Sequence, residues 1–358
     1  MFGETKASRG TFVFGILCGF GISFLLLVTC FTSLSTFRKT NTPKTLRSFL
    51  DIRSRMQVMT IQKDMHDIMD RNLRPIKPVL VDDSHFHHDN SSVAKDLEKN
   101  IRVLCWVMTG PQNLDKRAIH VKKTWAKRCN ILIFISSVTN TSFPTIGLNI
   151  SEGREHLTGK TMQAFRYVYE HYKDQADWFM KADDDTFVIL ENLRYFLKDY
   201  KPSDPVYFGR LFNLKNFVKQ GYYSGGAGYV LSKEALTRLV DKGKNKTLCQ
   251  QDGGNEDVEI GRCLEHLGVK TLNSTDALGR TRFHCFDPET HLFGLYPDWF
   301  VQRDVSGAKK GTESMSDYAI SFHYVPPPKM YALEFFVYHL RPYGIQSGHQ
   351  HLNLLDGR

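Results

Sequence analysis

Apolar and polar positions change rhythm along this chain, and each change marks a different kind of segment. From Gly10 to Phe37 the run GTFVFGILCGFGISFLLLVTCFTSLSTF contains no charged residue. A membrane-spanning helix needs about 20 mostly apolar residues, so this stretch is predicted to be an uncleaved signal anchor. A cleaved signal peptide fits less well, because the run outlasts the usual h-region and lacks an A-x-A-like cleavage site. Residues 38 to 96 are charged, Met-rich and poor in aromatics. Within them Leu46, Leu50, Met65, Met69 and Leu73 fall at helical spacings, which predicts an amphipathic stretch ending near Pro75 in a solvated stem. The run HFHHD, His85 to Asp89, reads as polar linker, since nothing nearby fixes a metal-binding geometry.

From residue 97 the pattern tightens. IRVLCWVM, Ile101 to Met108, is continuously apolar and is followed by Thr-Gly-Pro, which predicts a buried strand and a turn. LDKRAIHVKKTWAKR predicts a helix, ILIFISS (Ile131 to Ser137) a second buried strand, and Arg154 to Lys173 a long helix. WFMKA then forms a short strand that ends on Asp183, Asp184 and Asp185. Strands alternating with helices predict a mostly parallel sheet covered on both faces. Such sheets bind ligands beyond the carboxyl ends of their strands, so the acidic cluster is expected to face a crevice.

Composition adds the class of partner. The 358 residues are 41% hydrophobic, 12% aromatic and 24% charged, ordinary for a globular protein. The excess of 47 Lys+Arg over 38 Asp+Glu, a formal charge of +9, suggests a phosphate-bearing ligand or a membrane surface. Nucleic acid is not expected, because zinc-finger spacing, an RNP-like signature and an Arg-rich run are all missing. Lys6 and Arg9 precede the anchor while Arg38, Lys39, Lys44 and Arg47 follow it, which on charge alone would keep the C-terminal side cytoplasmic. Sequons at Asn90, Asn140, Asn149, Asn245 and Asn273 argue the opposite, as do Cys105, Cys129, Cys249, Cys263 and Cys285. The expected organisation is a cytoplasmic tail (1–9), an anchor (10–37), a stem (38–96) and one lumenal domain (97–358).

The three adjacent carboxylates carry the chemistry. On an extended segment alternate side chains point the same way, about 7 Å apart at roughly 3.4 Å per residue. Asp183 and Asp185 can therefore address one site while Asp184 points elsewhere. A solvated turn or helix cap is the bland alternative, but close apolar flanks disfavour it. Two oxygen donors suit Mg²⁺ or Mn²⁺, and a histidine ligand favours Mn²⁺. Such a cation neutralises phosphate oxygens and stabilises charge on a leaving group.

The stretches RVLCWVMTGPQN (from Arg102), HVKKTWAKRCN (from His120), DWFMKADDDTFVILENLR (from Asp177) and VYFGR (from Val206) carry a family resemblance. KQGYYSGGAGYVLSKEAL (from Lys219), EDVEIGRCLE (from Glu256), AISFHYV (from Ala319) and YHLRPYG (from Tyr338) continue it in order. The chain resembles the core 1 β1,3-galactosyltransferases (glycoprotein-N-acetylgalactosamine 3-β-galactosyltransferases), within the wider group that includes Fringe. The resemblance implies a GT-A-type α/β nucleotide-sugar-binding fold, a mostly parallel central sheet flanked by helices. It also implies transfer of galactose from UDP-galactose to O3 of GalNAc on Ser/Thr-linked glycoproteins, by a Golgi type II membrane enzyme that forms a homodimer.

By the same resemblance Asp183, Asp185 and His323 hold Mn²⁺, with Asp183 nearer the ribose, although a satisfied core histidine remains the alternative for His323. Asp257 matches the base of an inverting displacement. Its bland alternative is a helix-start carboxylate, since residues 256 to 267 read as a helix closed by Gly268. With an ordinary carboxylate pKa near 4 it is ionised at lumenal pH. Met108 and Thr109 are expected near the uridine, and Gly225 and Gly226 to let backbone approach the donor. Tyr222, Trp299 and Tyr324 are candidates to stack on the acceptor sugar, with ordinary core tyrosines the alternative for the first and last. Analogy pairs Cys105 with Cys129 and Cys249 with Cys263, leaving Cys285 over.

The chain departs from the family at Ser314-Met315, where adjacent cysteines are usual, and in YPDWFVQRDVSG, where a W-Y-W-like run is usual. The same chemistry with another donor or acceptor, and a non-catalytic chaperone or glycan-binding relative, are the competing readings.

Overall fold

The computed structural model describes residues 76–79, 90–214 and 216–345, all within the compact unit Lys63–Arg358. The expected tail, the anchor, most of the stem and the His85–Asp89 run lie outside the described residues. Among those described, no helix is long and apolar enough to cross a membrane. Among the described residues the first regular element is α1 (Ser92–Asn100), which crosses the expected boundary between stem and domain at 96/97. Asn130 Nδ2 donates to the Glu98 carbonyl, tying that helix to the domain.

The continuous apolar run becomes β1 (Val103–Met108), buried along its whole length. It pairs in parallel with β2 (Ile131–Ser136) on one side and β4 (Trp178–Asp183) on the other. A strand flanked on both edges and covered on both faces must be apolar throughout, which the sequence supplies. Among the described residues this sheet has seven strands in the order β10-β6-β9-β4-β1-β2-β3. Its remaining members are β3 (Thr145–Gly147), β6 (Val206–Gly209), β9 (Tyr229–Ser232) and β10 (Lys270–Thr271). β9 runs antiparallel to both its neighbours, β4 and β6, whereas the other pairings are parallel.

Helices α3 (Leu157–Tyr172), α5 (Lys233–Lys242) and α6 (Glu256–His266) cover one face of this sheet. Trp106 meets Phe165 of α3 edge-on at 5.1 Å there, and each such buried side chain contributes about 1.5–3 kcal/mol. The other face is covered by α4 (Leu190–Leu197), whose Phe196 packs edge-on against Phe208 at 5.0 Å.

The predicted helix from Leu114 to Arg128 is not continuous. It breaks into a π-type turn (Leu114–Ala118), α2 (Ile119–Lys123) and a 3₁₀ turn (Trp125–Arg128). Thr124 leaves helical geometry, with φ −110° and ψ −119°, while its hydroxyl caps the His120 carbonyl at 2.8 Å. The kink buries Trp125, and burial of one indole outweighs a few tenths of a kcal/mol of helix propensity per residue.

Two small sheets complete the domain. β7 (Leu211–Leu214) and β8 (Val218–Tyr223) form a hairpin. β5 (Phe187–Val188), β12 (Ser321–Phe322) and β11 (Phe283–His284) form a three-stranded sheet in the order β11-β12-β5. Between the last two strands of the chain lie α7 (Pro288–Phe293) and α8 (Asp298–Arg303), and α9 (Pro327–Tyr338) follows β12. Disulfides join Cys105 to Cys129 and Cys249 to Cys263, the pairs expected, and Cys285 is a buried free thiol.

Candidate active site

The acidic cluster sits at the carboxyl end of β4, beside the end of β1, with Asp183 in register opposite Met108. The strand ends at Asp183, and a turn closed by Thr186 N on the Asp183 carbonyl at 3.1 Å, not the extended segment expected, sends the members of the cluster apart. Asp184 turns toward β1, where its carboxylate accepts from Thr109 Oγ1 at 2.7 Å and Asn113 Nδ2 at 3.0 Å. Asp183 and Asp185 turn toward His323, which follows β12. His323 Nε2 lies 3.2 Å from Asp185 Oδ1 and 4.0 Å from Asp183 Oδ2. One ligand atom from each of these residues lies within 4.8 Å of the others.

The backbone brings these distant residues together. β5, which follows the cluster, pairs antiparallel with β12, and Val325 N donates to the Asp185 carbonyl at 2.9 Å. His323 Nδ1 is 3.3 Å from the Cys285 carbonyl. A carbonyl only accepts, so Nδ1 carries the proton and Nε2 presents its lone pair to the carboxylates. Two hard oxygen donors with one imidazole nitrogen form a donor set that fits a divalent cation.

Cations of the chain neutralise part of this charge. Arg117, buried, donates from Nη1 to Asp185 Oδ2 at 3.0 Å and lies 3.5 Å from Asp184 Oδ1. Lys181, only 2% exposed, donates to Asp183 Oδ1 at 2.6 Å and to the Gly225 carbonyl at 3.0 Å. Burial opposes the Lys181 charge, but Asp183 and Glu256 outweigh it and its pKa is raised. Three carboxylates against two fixed cations leave a net negative site, which favours a further positive charge. Burial is the main cause that pushes Asp184 up to about 6, with Arg117 opposing it.

A cleft of about 310 Å³ opens beside the cluster, lined among others by Met108, Thr109, Asn113, Arg154, Asp183 and Asp185. Lys160 closes its floor, donating to the Thr109 carbonyl at 2.6 Å and to both oxygens of Glu152 at 2.9 and 3.0 Å. Met108 and Thr109 therefore stand with the carboxylates on one crevice at the switch between strands β1 and β4.

Asp257 occupies the first turn of α6, a few residues past Asn255. Its Oδ2 accepts from Gly225 N at 3.2 Å and its Oδ1 from Val258 N at 2.9 Å. A carboxylate at a helix N-terminus is ordinarily stabilised as the anion by a few tenths of a kcal/mol, at most about 2. Here burial, joined by the adjacent Glu256, outweighs that and pushes Asp257 up to about 6. The ordinary carboxylate range expected for it does not hold, because the half-buried side chain packs between α6 and the Gly225 turn with the Glu256 charge beside it.

The two glycines make room for protein groups. A Cβ on Gly226 would lie 2.1 Å from His323 Cε1, and one on Gly225 would lie 2.7 Å from Glu256 Oε2. Tyr324 takes a left-handed φ of 54°, and its ring lies 4.0 Å from the imidazole and stacks on Phe286 at 5.9 Å. Trp299 packs on Phe286 at 5.9 Å and Phe212 at 5.7 Å, forming one wall with them. Tyr222 is 3% exposed and core-like, its phenol hydrogen-bonded by Arg303 and its ring 5.9 Å from Phe212.

Sequence reasoning missed Arg117, Lys181, Lys160 and Glu256. Lys181 was within reach: it precedes Asp183 by two on a strand, so both share a face. The others carry no local signal, since Arg117 lies in the broken helix and Lys160 and Glu256 reach the site only through helix packing.

A Fringe-like family model matches residues 99–284, a span that includes Asp183, Asp185 and Asp257 and stops short of His323. Glycoprotein-N-acetylgalactosamine 3-beta-galactosyltransferase 1 of Xenopus laevis is 47% identical over 272 residues, 75% of this chain and 75% of that protein. Mouse beta-1,3-glucosyltransferase is 31% identical over 155 residues, 43% of this chain and 31% of that protein. Among solved structures, mouse xyloside xylosyltransferase 1 in its apo form overlaps 62% of this chain and 96% of that one, with 9% identity and a TM-score of 0.35.

Proposed function

Because the chain belongs to the Fringe-like family, alongside the glycoprotein-N-acetylgalactosamine 3-β-galactosyltransferases, we propose that it is an inverting β1,3-galactosyltransferase. It moves galactose from UDP-galactose to O3 of GalNAc on Ser/Thr-linked glycoproteins. The observation that carries this reading is the convergence of Asp183, Asp185 and His323 on one point beside a nucleotide-sized cleft. A merely structural relative has no need of such a donor set.

In this reading Asp183, Asp185 and His323 hold Mn²⁺, which when bound screens the diphosphate and makes UDP a better leaving group. Met108 and Thr109 line the uridine end of the cleft, Asp183 meets the ribose, and the Gly225–Gly226 turn borders the galactose. Trp299 and Tyr324 present ring faces to the acceptor, and Tyr222 supports that wall from beneath. Asp257 takes the proton of the acceptor O3 hydroxyl as that oxygen attacks C1 of galactose. The bond from C1 to the β-phosphate oxygen breaks with its electron pair on UDP, and the anomeric centre inverts. Disulfides suit an oxidising lumen, so the reading extends to a Golgi type II membrane protein anchored through residues 10–37 and assembled as a homodimer.

The test is incubation of the full-length chain with Mn²⁺, UDP-galactose and a GalNAc-bearing peptide, with UDP release and product linkage measured. Transfer is expected, to be abolished by EDTA and restored by Mn²⁺, and to fall about 10²–10⁴-fold in Asp257→Asn, the range of general-base contributions. Absence of UDP release with every glycan acceptor tried would favour a non-catalytic role.

A further inference from the structure

Resting on the reading of Asp257 as the base, we infer that Glu256 is a positioning residue whose carboxylate, locked behind the Gly225 peptide, sets the pH range in which Asp257 accepts a proton.

The lock comes from two other elements. Glu256 Oε1 accepts from Tyr229 Oη of β9 at 2.7 Å and from Thr161 Oγ1 of α3 at 2.9 Å. Its Oε2 faces Lys181 Nζ at 3.9 Å and the bare side of Gly225, where any Cβ would approach to 2.7 Å. The same glycine donates its N–H to Asp257 and accepts from Lys181 through its carbonyl. Gly225 is thus bonded through its N–H to the base and through its carbonyl to a buried ammonium, with the Glu256 carboxylate against its bare Cα face.

The groups that sense Asp257 define its surroundings. Tyr207 of β6, Tyr222 of β8, Tyr229 of β9 and Cys285 after β11 all feel its charge, and Arg303 of α8 stands behind Tyr222. Burial drives these phenols and the thiol toward their neutral forms. Among the charged groups around the base, Glu256 raises its proton affinity and Lys181 lowers it. Lys181 is shared with Asp183, whereas Glu256 adjoins the base directly, and after burial it is the next cause that raises Asp257. A base whose proton affinity lies nearer the working pH transfers more effectively than an ordinary carboxylate. Pairs of carboxylates pushed apart by their surroundings achieve this.

Glu256→Gln keeps an oxygen for Tyr229 and Thr161 while removing the charge. In the full-length chain assayed with UDP-galactose and GalNAc-peptide, kcat/KM in the wild type is expected to fall as pH drops through about 6, where Asp257 takes up its proton. In Glu256→Gln that acid limb is expected to move about one pH unit lower, the size of a close like-charge effect. Glu256→Asp, which restores the charge, should return the limb toward wild type. An acid limb unmoved in the Gln variant overturns the inference. Should that variant not fold, carboxyl ¹³C NMR of the wild-type chain decides: Asp257 is expected to titrate above the ordinary carboxylate range, and a midpoint within that range overturns the inference. A wild type that transfers no galactose would sink the functional reading instead, and the NMR titration would still report on the pair.

Discussion

Gly226 carries no side chain, and the imidazole of His323 occupies the space one would need. A methyl group there would sit 2.1 Å from Cε1, inside any tolerable contact, so the ring must swing off its aim at Asp185. Gly226→Ala is expected to leave the far-ultraviolet circular dichroism unchanged while Mn²⁺ affinity drops by about 10–100-fold, as when a ligand loses its support. Activity followed against Mn²⁺ concentration checks this, and an unaltered metal requirement would contradict it. The glycine pair was visible in the run YSGGAGY, yet its purpose was not. Local sequence announces a position that excludes Cβ; only the fold reveals that the imidazole of His323 takes up the space a side chain there would need. The same holds for Tyr222, whose ring suggests a sugar platform until packing against Gly261 and Phe212 is seen.

Among the elements, α6 bears the heaviest functional duty because it begins with the base and its acidic neighbour. Its third turn is fastened to the preceding loop by the disulfide between Cys249 and Cys263, which are 14 residues apart. Replacing both cysteines by alanine is expected to cost about 2–4 kcal/mol in urea unfolding, the range for a short closed loop. It should also lower kcat more than it changes KM for UDP-galactose, since α6 aims Asp257 and not the uridine end of the cleft. Strands β1, β2 and β4 were readable from their apolar runs, as were α3 and α6 with its closing Gly268, which takes φ 71°. The segment from Leu114 was not. Its apolar spacing is helical, but burial of Trp125, a tertiary term that a linear pattern omits, breaks the rod, and the Thr124 hydroxyl caps the break locally.

At the scale of the whole molecule, α9 is held by a buried charge as well as by the buried Pro327, Met330 and Tyr331. Glu334 of α9 is fully buried, with Arg128 Nη1 at 2.7 Å and Lys127 Nζ at 3.3 Å. Arg128 also lies over the Tyr338 ring at 3.6 Å, and Tyr338 donates to Glu191 at 2.7 Å. Glu334→Ala removes the carboxylate that the half-buried Arg128 and the exposed Lys127 face, and is expected to cost about 1–3 kcal/mol in denaturant unfolding, the range for a lost charged hydrogen-bond partner. The parallel strands β1, β2 and β4 and the crevice beyond their ends were legible from apolar runs and element order, whereas the antiparallel β9 and the turn through the acidic cluster were not. His323 was legible only through the family resemblance, because an isolated histidine before a tyrosine states nothing about a partner so far back in the chain. Two backbone rungs settle that partnership: Ser321 opposite Val188 and Phe322 opposite Phe187. Strand faces alternate with every residue, so inserting a single amino acid between Ser316 and Ile320 and letting the ladder re-form one place over would hand Phe322 to the carboxylates and turn the imidazole outward. Loop length far from the chemistry is therefore under the same restraint as the ligands themselves, and insertions or deletions there should be as damaging as losing His323.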